Sequence, residues 1–175
     1  DPKAAFGHAA RMIGEGECAM VKLEGGGPVI ESIRYLVDRE VPVCAHLGLT
    51  PQSVLRLGGY KVQGRGDAAA QALRDAARAA QVAGAEMLVL ECVPSPLAAA
   101  IQADLAIPVI GIGAGPQCDG QILVCYDVIG ISSGRRPRFV KNFLQGRDSV
   151  LDAFKAYVAE VRSGTFPTAE HEYAE

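Results

Sequence analysis

The sequence predicts an α/β fold built on a parallel sheet. Three observations carry this. Short apolar runs of strand length alternate with segments of helical periodicity. The run from Met87 to Leu90 is continuously apolar, as suits a buried parallel strand. It ends on Glu91, and Pro94 and Pro96 then suit the first turn of a helix. A carboxylate so placed stands at the carboxyl end of a strand, where such folds gather their chemistry.

The elements follow in order. Asp1-Pro2 reads as an N-cap with proline at the first helical position, opening a helix to about Gly14. Cys18 to Leu23 is the first expected strand, followed by Glu24 and three glycines. Pro28 starts a helix whose apolar positions Val29, Ile33, Leu36 and Val37 lie at helical spacing. Val41 to Ala45 is the second strand, with His46 after it. The long connection from Leu47 to Gly66 has the character of a binding loop or lid. Asp67 caps an alanine-rich helix to about Ala83. Glu86 to Leu90 is the third strand, and a short helix runs to Asp104. Ile107 to Ile110 is the fourth, leading into Gly111-Ile112-Gly113-Ala114-Gly115, and Gln121 to Cys125 reads as a fifth. Two helices, near Phe139 to Leu144 and Ser149 to Arg162, close the chain, and the polar tail after Gly164 is expected to be loosely held. Alternation of this kind implies right-handed crossovers. It leaves two architectures open, a doubly wound sheet or a (β/α) barrel, and five strands do not close an eight-stranded barrel.

The 175 residues suit a single domain with a sizeable core. With 49% hydrophobic and 21% charged residues, the composition is that of a soluble globular protein. A net charge of -3 gives no reason to expect nucleic acid or an anionic membrane as partner. No apolar run reaches membrane-spanning length, and no signal-peptide pattern opens the chain. Cys18, Cys44, Cys92, Cys118 and Cys125 form no C-x-x-C pair and are expected as reduced thiols, mostly in strands, with no zinc site.

The strand ends bring together Lys22 and Glu24, His46, Glu91 and the glycine loop 111–115. In a parallel sheet these ends share one edge, the usual layout of a small-molecule site. Strand alternation puts Lys22 and Glu24 on one face. They form either an internal ion pair or a lysine for an anionic substrate beside a carboxylate for a cation. His46 is either structural or part of the site. Glu91, desolvated at a strand end, suits a general base. The glycine loop fits neither the dinucleotide nor the P-loop pattern; it is either a tight turn or a set of amides facing an anion. Cys92 as a nucleophile is disfavoured against a small apolar filler. Arg135, Arg136 and Arg138 read as a solvated turn.

Five segments carry a resemblance. They are Met20–Gly26 (MVKLEGG), Val43–Gln52 (VCAHLGLTPQ), Gly58–Arg65 (GGYKVQGR), Leu88–Pro94 (LVLECVP) and Pro108–Gly115 (PVIGIGAG). In this order they resemble the ketopantoate hydroxymethyltransferase family of pantothenate biosynthesis, from the first helix to about Pro167. The resemblance implies a (β/α)8 TIM barrel of which this chain holds strands four to eight. It also implies a cytoplasmic, oligomeric and often decameric enzyme that depends on magnesium. Such enzymes transfer a hydroxymethyl group from 5,10-methylenetetrahydrofolate to 3-methyl-2-oxobutanoate, giving 2-dehydropantoate. By the same likeness Glu91 is the catalytic base, Lys22 holds the keto-acid carboxylate, Glu24 belongs to the magnesium site and His46 lies near the substrate. Magnesium would stabilise the enolate as a Lewis acid, and the 47–66 loop would close over it. The family's first three strands, with two aspartates that bind magnesium and substrate, have no counterpart here. Tyr126 replaces a histidine found in many members. Two other readings stand beside this one. One is a non-catalytic truncated piece that lacks those aspartates. The other is a different magnesium-dependent 2-oxo acid enolate enzyme, against which the Gly58–Arg65 run argues.

Overall fold

The computed structural model describes residues 1–132, 134 and 136–174. Its elements are α1 (Pro2–Gly14), β1 (Val21–Glu24), α2 (Val29–Val37), β2 (Val43–Gly48), a 3-10 turn (Pro51–Ser53) and α3 (Val54–Leu57). They continue with α4 (Asp67–Val82), β3 (Met87–Glu91), α5 (Ser95–Asp104), β4 (Val109–Ile112) and β5 (Gly120–Gln121). α6 (Cys125–Val128), α7 (Val150–Arg162) and a second 3-10 turn (Ala169–His171) complete the chain. Local chemistry explains several boundaries. Asp1 caps α1 through the Ala4 amide, and Ser149 caps α7 through the Asp152 amide. Asp67 stands in the first turn of α4, complementing its dipole.

The five strands form one parallel sheet in the order β1-β2-β3-β4-β5. Each strand pairs with its predecessor, so there is no reversal of strand order. A doubly wound sheet requires such a reversal. Its absence resolves the choice left open by the alternation. The sheet is singly wound, as in part of a (β/α)8 barrel.

Sidedness follows from the register. Val21, Val43, Ala45, Leu47, Leu88, Leu90 and Val109 face the helices and join Ile33, Leu36, Ala77, Ala80, Ala98 and Ile101 in the main core. Along that side α1 packs on α2, α2 on α4, and α4 on α5. Each large aliphatic buried there contributes about 1.5–3 kcal/mol. The opposite face has a different character. The register sets Lys22 beside Cys44, Glu24 beside His46, His46 beside Val89, and Gly48 beside Glu91. Met87, Val89 and Glu91 are only half-buried while Leu88 and Leu90 are fully buried. The polar groups therefore share the face turned away from the helices.

Several expectations are corrected. Cys18 is exposed and lies before β1. His46 is inside β2, which runs on to Gly48. β5 holds only Gly120–Gln121; Ile122 and Val124 are exposed and Cys125 opens α6. Of the five cysteines only Cys44 lies in a strand, and Cys125 is exposed. Residues 139–144 are not helical. There Phe143 donates its amide to Val128 O, and the Asn142 side chain accepts from the Leu144 amide. Nor is the tail loose: Phe166 is buried against Phe143 and Tyr157. Of the three expected turn arginines, Arg135 lies outside the described residues. Arg138 donates to Glu170 O rather than only meeting solvent. No helix among the described residues is long and apolar enough to cross a membrane.

Candidate active site

The polar face converges at the carboxyl ends of β1, β2 and β3. Lys22 Nζ lies 3.1 Å from Glu24 Oε1 and 2.9 Å from His46 Nδ1. His46 Nδ1 is 3.5 Å from Glu24 Oε1, and His46 Nε2 is 3.2 Å from Glu91 Oε2. All four sequence-predicted site residues thus form one connected group. Burial grades along it. The side chains of His46, Glu24 and Glu91 are 3%, 11% and 14% exposed, while that of Lys22 is 43% exposed.

The lysine fixes the histidine's tautomer. An ammonium has only protons to give, so Nδ1 accepts and the ring proton sits on Nε2. That N–H stands beside Glu91 but is not aligned on its oxygen. Nε2 is the buried side-chain atom left without a hydrogen bond among the described residues. A buried donor left open beside a carboxylate is costly unless a ligand or a small side-chain movement satisfies it.

Glu24 is held as a carboxylate. Burial works against its charge, but the Gln52 backbone N–H and the Lys22 ammonium outweigh this and keep its pKa below the ordinary 4.5. The Gln52 amide reaches Glu24 Oε2 at 3.2 Å. This contact was not legible in the sequence, because a backbone donor in a loop leaves no residue-type signal. The 47–66 connection is tied down at both ends: Leu49 donates to Glu91 O and Gln63 to Cys92 O. A carboxylate with a lowered pKa stabilises the fold above its unfolded pKa, and that contribution disappears as pH falls through the folded value. Thermal unfolding between pH 6 and pH 3 is expected to show the melting temperature falling through this window. Glu24→Gln is expected to start lower at pH 6 and to fall less steeply.

The buried thiols beside the site are poorly suited to act as nucleophiles. Burial, then the charge of Glu91, pushes Cys92 up to about 12, against the Tyr173 hydrogen bond. Cys44 is raised by burial, partly offset by Lys22. The glycine loop is a turn in which Gly113 and Gly115 take positive φ, and a Cβ at Gly113 would strike the Phe139 ring.

A metal is tested by the donor set. Among the described residues no group of three His, Cys, Asp or Glu side chains stands ready to hold an ion. Glu24 fits as one ligand: it stays ionised, and Oε2 accepts a single backbone N–H, which leaves a lone pair.

A singly wound parallel sheet with a lysine, a histidine and two carboxylates at its strand ends defines a barrel-type α/β protein whose polar groups gather on that rim. The comparisons give the particular family. The family model described as ketopantoate hydroxymethyltransferase matches residues 1–169. A 3-methyl-2-oxobutanoate hydroxymethyltransferase of Xanthomonas euvesicatoria pv. vesicatoria is 60% identical over 99% of this chain and 64% of its own length. Proteins of the same name from Xanthomonas campestris pv. campestris and Xanthomonas oryzae pv. oryzae are 59% identical over the same shares. The chain belongs to the ketopantoate hydroxymethyltransferase family, and it spans about 64% of the length of the curated relatives it matches.

Proposed function

We propose that the protein serves the transfer of a hydroxymethyl group from 5,10-methylenetetrahydrofolate to 3-methyl-2-oxobutanoate, giving 2-dehydropantoate. The observation that carries this reading is the connected group Lys22–His46–Glu91 at the strand ends, with an open lysine at one end and a half-buried carboxylate at the other. In sum, the substrate's C3–H bond is replaced by a C3–CH2OH bond, the folate leaves as tetrahydrofolate and water supplies the hydroxyl oxygen.

Each residue has one task. Lys22, the most exposed of the group, binds the keto-acid carboxylate through a charge-assisted hydrogen bond that orients the substrate. Glu91 takes the C3 proton, leaving the enolate carbon to attack the one-carbon unit. His46, its tautomer fixed by Lys22, stands with Nε2 3.2 Å from Glu91 Oε2 without bonding it, so a small movement of either side chain closes that contact and steadies the base. Glu24 holds Lys22 and His46 in place and is this chain's ligand for magnesium. When bound, magnesium supplies Lewis-acid polarisation of the 2-oxo group. The tethered 47–66 connection keeps water from the base. The same reading carries a cytoplasmic homo-oligomer. It is supported by exposed apolar side chains at Ile122, Val124, Tyr126, Val150, Leu151 and Val158, which offer surface for self-association.

The test is proton NMR of 3-methyl-2-oxobutanoate in heavy water with the protein and magnesium, without folate. Loss of the C3 proton signal supports the reading. Its persistence, with magnesium and protein in excess, favours the non-catalytic alternative. Lys22→Met is expected to raise KM for the keto acid by about 10²-fold while kcat falls less, because the lost contact is made in ground and transition states alike.

A further inference from the structure

The stretch beyond Gly164 folds back over the chain and is held at separate points. Phe166 is buried in the cluster of Phe143 and Tyr157, with ring centroids 5.2 and 6.1 Å away. Arg138 Nε donates to Glu170 O at 3.0 Å. Ser95, the first residue of α5, gives its hydroxyl to Glu172 Oε2 and its amide to Tyr173 O, the latter at 2.8 Å. Between these anchors lies the 3-10 turn Ala169–His171, and its own last residue closes it. The Thr168 amide donates to His171 Nδ1 at 3.3 Å, and the Thr168 hydroxyl meets the same nitrogen at 2.7 Å. The His171 amide in turn donates to Thr168 O at 2.8 Å, so residues 168 and 171 grip each other from both sides.

An amide has only a proton to give. Nδ1 therefore accepts, and the ring proton of the neutral imidazole sits on Nε2. A further proton, on Nδ1, would face the Thr168 amide hydrogen. The hydroxyl can turn to accept it, but the amide cannot. The surroundings favour the neutral ring as well. His171 is half-buried, with its ring set edge-on to Phe166 at 5.1 Å. Burial and the Lys141 ammonium push its pKa below the ordinary 6.5, against Glu170 in its own turn and Glu160 on α7. Glu160 is already matched by cations: Lys141 Nζ lies 2.5 Å from its Oε2, and Arg147 lies 3.9 Å from its Oε1.

We propose that residues 166–173 form a pH-sensitive clasp, closed by the neutral imidazole of His171 on Thr168 and loosened when that imidazole takes up a proton. A group whose pKa is lowered in the fold contributes stability that is full above its unfolded value and is lost as pH falls through the folded one. The clasp is therefore closed above the ordinary 6.5 and loosens below it. What loosens is local. The turn 168–171 gives way first, and with it the hold of Tyr173 O on the Ser95 amide at the start of α5. The clasp stands independently of the roles given to Glu91 and Lys22.

The experiment is amide hydrogen exchange by NMR on the whole chain at pH 7.5 and pH 5.5, expressed as protection factors so that the intrinsic pH dependence cancels. Protection at Ser95, Thr168 and His171 is expected to fall about three- to tenfold at the lower pH, the weight of one hydrogen bond. Leu49 and Leu88, whose amides bond Glu91 O and Pro108 O, should keep theirs. His171→Asn offers an amide oxygen in place of Nδ1 and does not titrate, so it should hold the protection at both pH values. His171→Ala should show the low-pH pattern at both. The titration of the His171 ring itself should have its midpoint below 6.5, and Lys141→Met should raise that midpoint. Equal losses in wild type and His171→Asn overturn the clasp, because another group then titrates. So does His171→Ala protected like wild type at pH 7.5, or a ring midpoint at or above 6.5. A loss shared by Leu49 and Leu88 is general acid unfolding and overturns it too.

Discussion

Glu91→Gln is expected to lower C3 proton exchange of 3-methyl-2-oxobutanoate by about 10²–10⁴-fold, the usual contribution of a positioned base, while the keto acid's dissociation constant changes by less than about threefold. In barrier terms this is about 3–5 kcal/mol. The amide is nearly isosteric with the carboxylate, so the packing of β3 stays intact. On the proposed reading, what it removes is the acceptor for the substrate proton. Lys22, 43% exposed at the other end of the group, is untouched, so the proposed carboxylate contact is expected to persist. Heavy-water NMR gives the exchange rate, and calorimetric titration of the keto acid gives the affinity. Exchange within tenfold of wild type would put the base elsewhere. A parallel loss of affinity would mean that Glu91 holds substrate instead of its proton.

Gly48→Ala is expected to destabilise the fold by about 2–5 kcal/mol, adding the cost of a left-handed L-residue to that of backbone displacement. Gly48 ends β2 with φ +88, opposite Glu91. A Cβ there would lie 2.3 Å from the Glu91 carbonyl oxygen and 2.8 Å from Val93 Cγ2. The oxygen belongs to the backbone and already accepts the Leu49 amide, so the strand ends themselves must separate. Gly59→Ala is the control. It shares a positive φ of 112° but meets nothing within 4 Å, so it should cost only about 1–2 kcal/mol. Denaturant midpoints should therefore separate the two variants clearly, and C3 exchange should fall only in Gly48→Ala. Equal effects at both positions would show that the contact with Glu91 O is relieved cheaply.

The site was legible where periodicity and chemistry coincided. Two charges two residues apart in an apolar strand, at 22 and 24, announced a shared face; Glu91 at the end of Met87–Leu90 announced a rim. The order of strands was not legible, because alternation alone is the same for a singly or doubly wound sheet. The run 122–125 looked like a strand because its residues are apolar, yet Ile122, Val124 and Cys125 face solvent, and the pairing with β4 ends on the Ile122 amide, which donates to Gly111 O. Phe139, Val140 and Phe143 have helical spacing. That spacing reflects two clusters, with Phe139 and Val140 beside Cys92 and Phe143 beside Val128. The tail looked loose because its composition is polar. Its attachment depends on two aromatic residues, Phe166 and Tyr173, seven apart, and on Ser95 from a distant helix. Contacts so separated along the chain leave no local pattern.

The unbroken order of the five strands also bears on how the molecule is made. Each strand pairs with one already synthesised: Val43 closes on Val21, Met87 on Cys44, Val109 on Leu88 and Gly120 on Ile110. No strand must wait for a later one to be inserted between it and its neighbour. A nascent chain leaving the ribosome can therefore add one strand and one helix at a time to a growing edge, as domains do when they fold from the N-terminus during synthesis. The latest contacts to form are those of Glu172 and Tyr173, which reach back to Ser95 at the start of α5. The first turn of α5, just after the strand that carries Glu91, is thus tied down only once residues 172 and 173 have emerged.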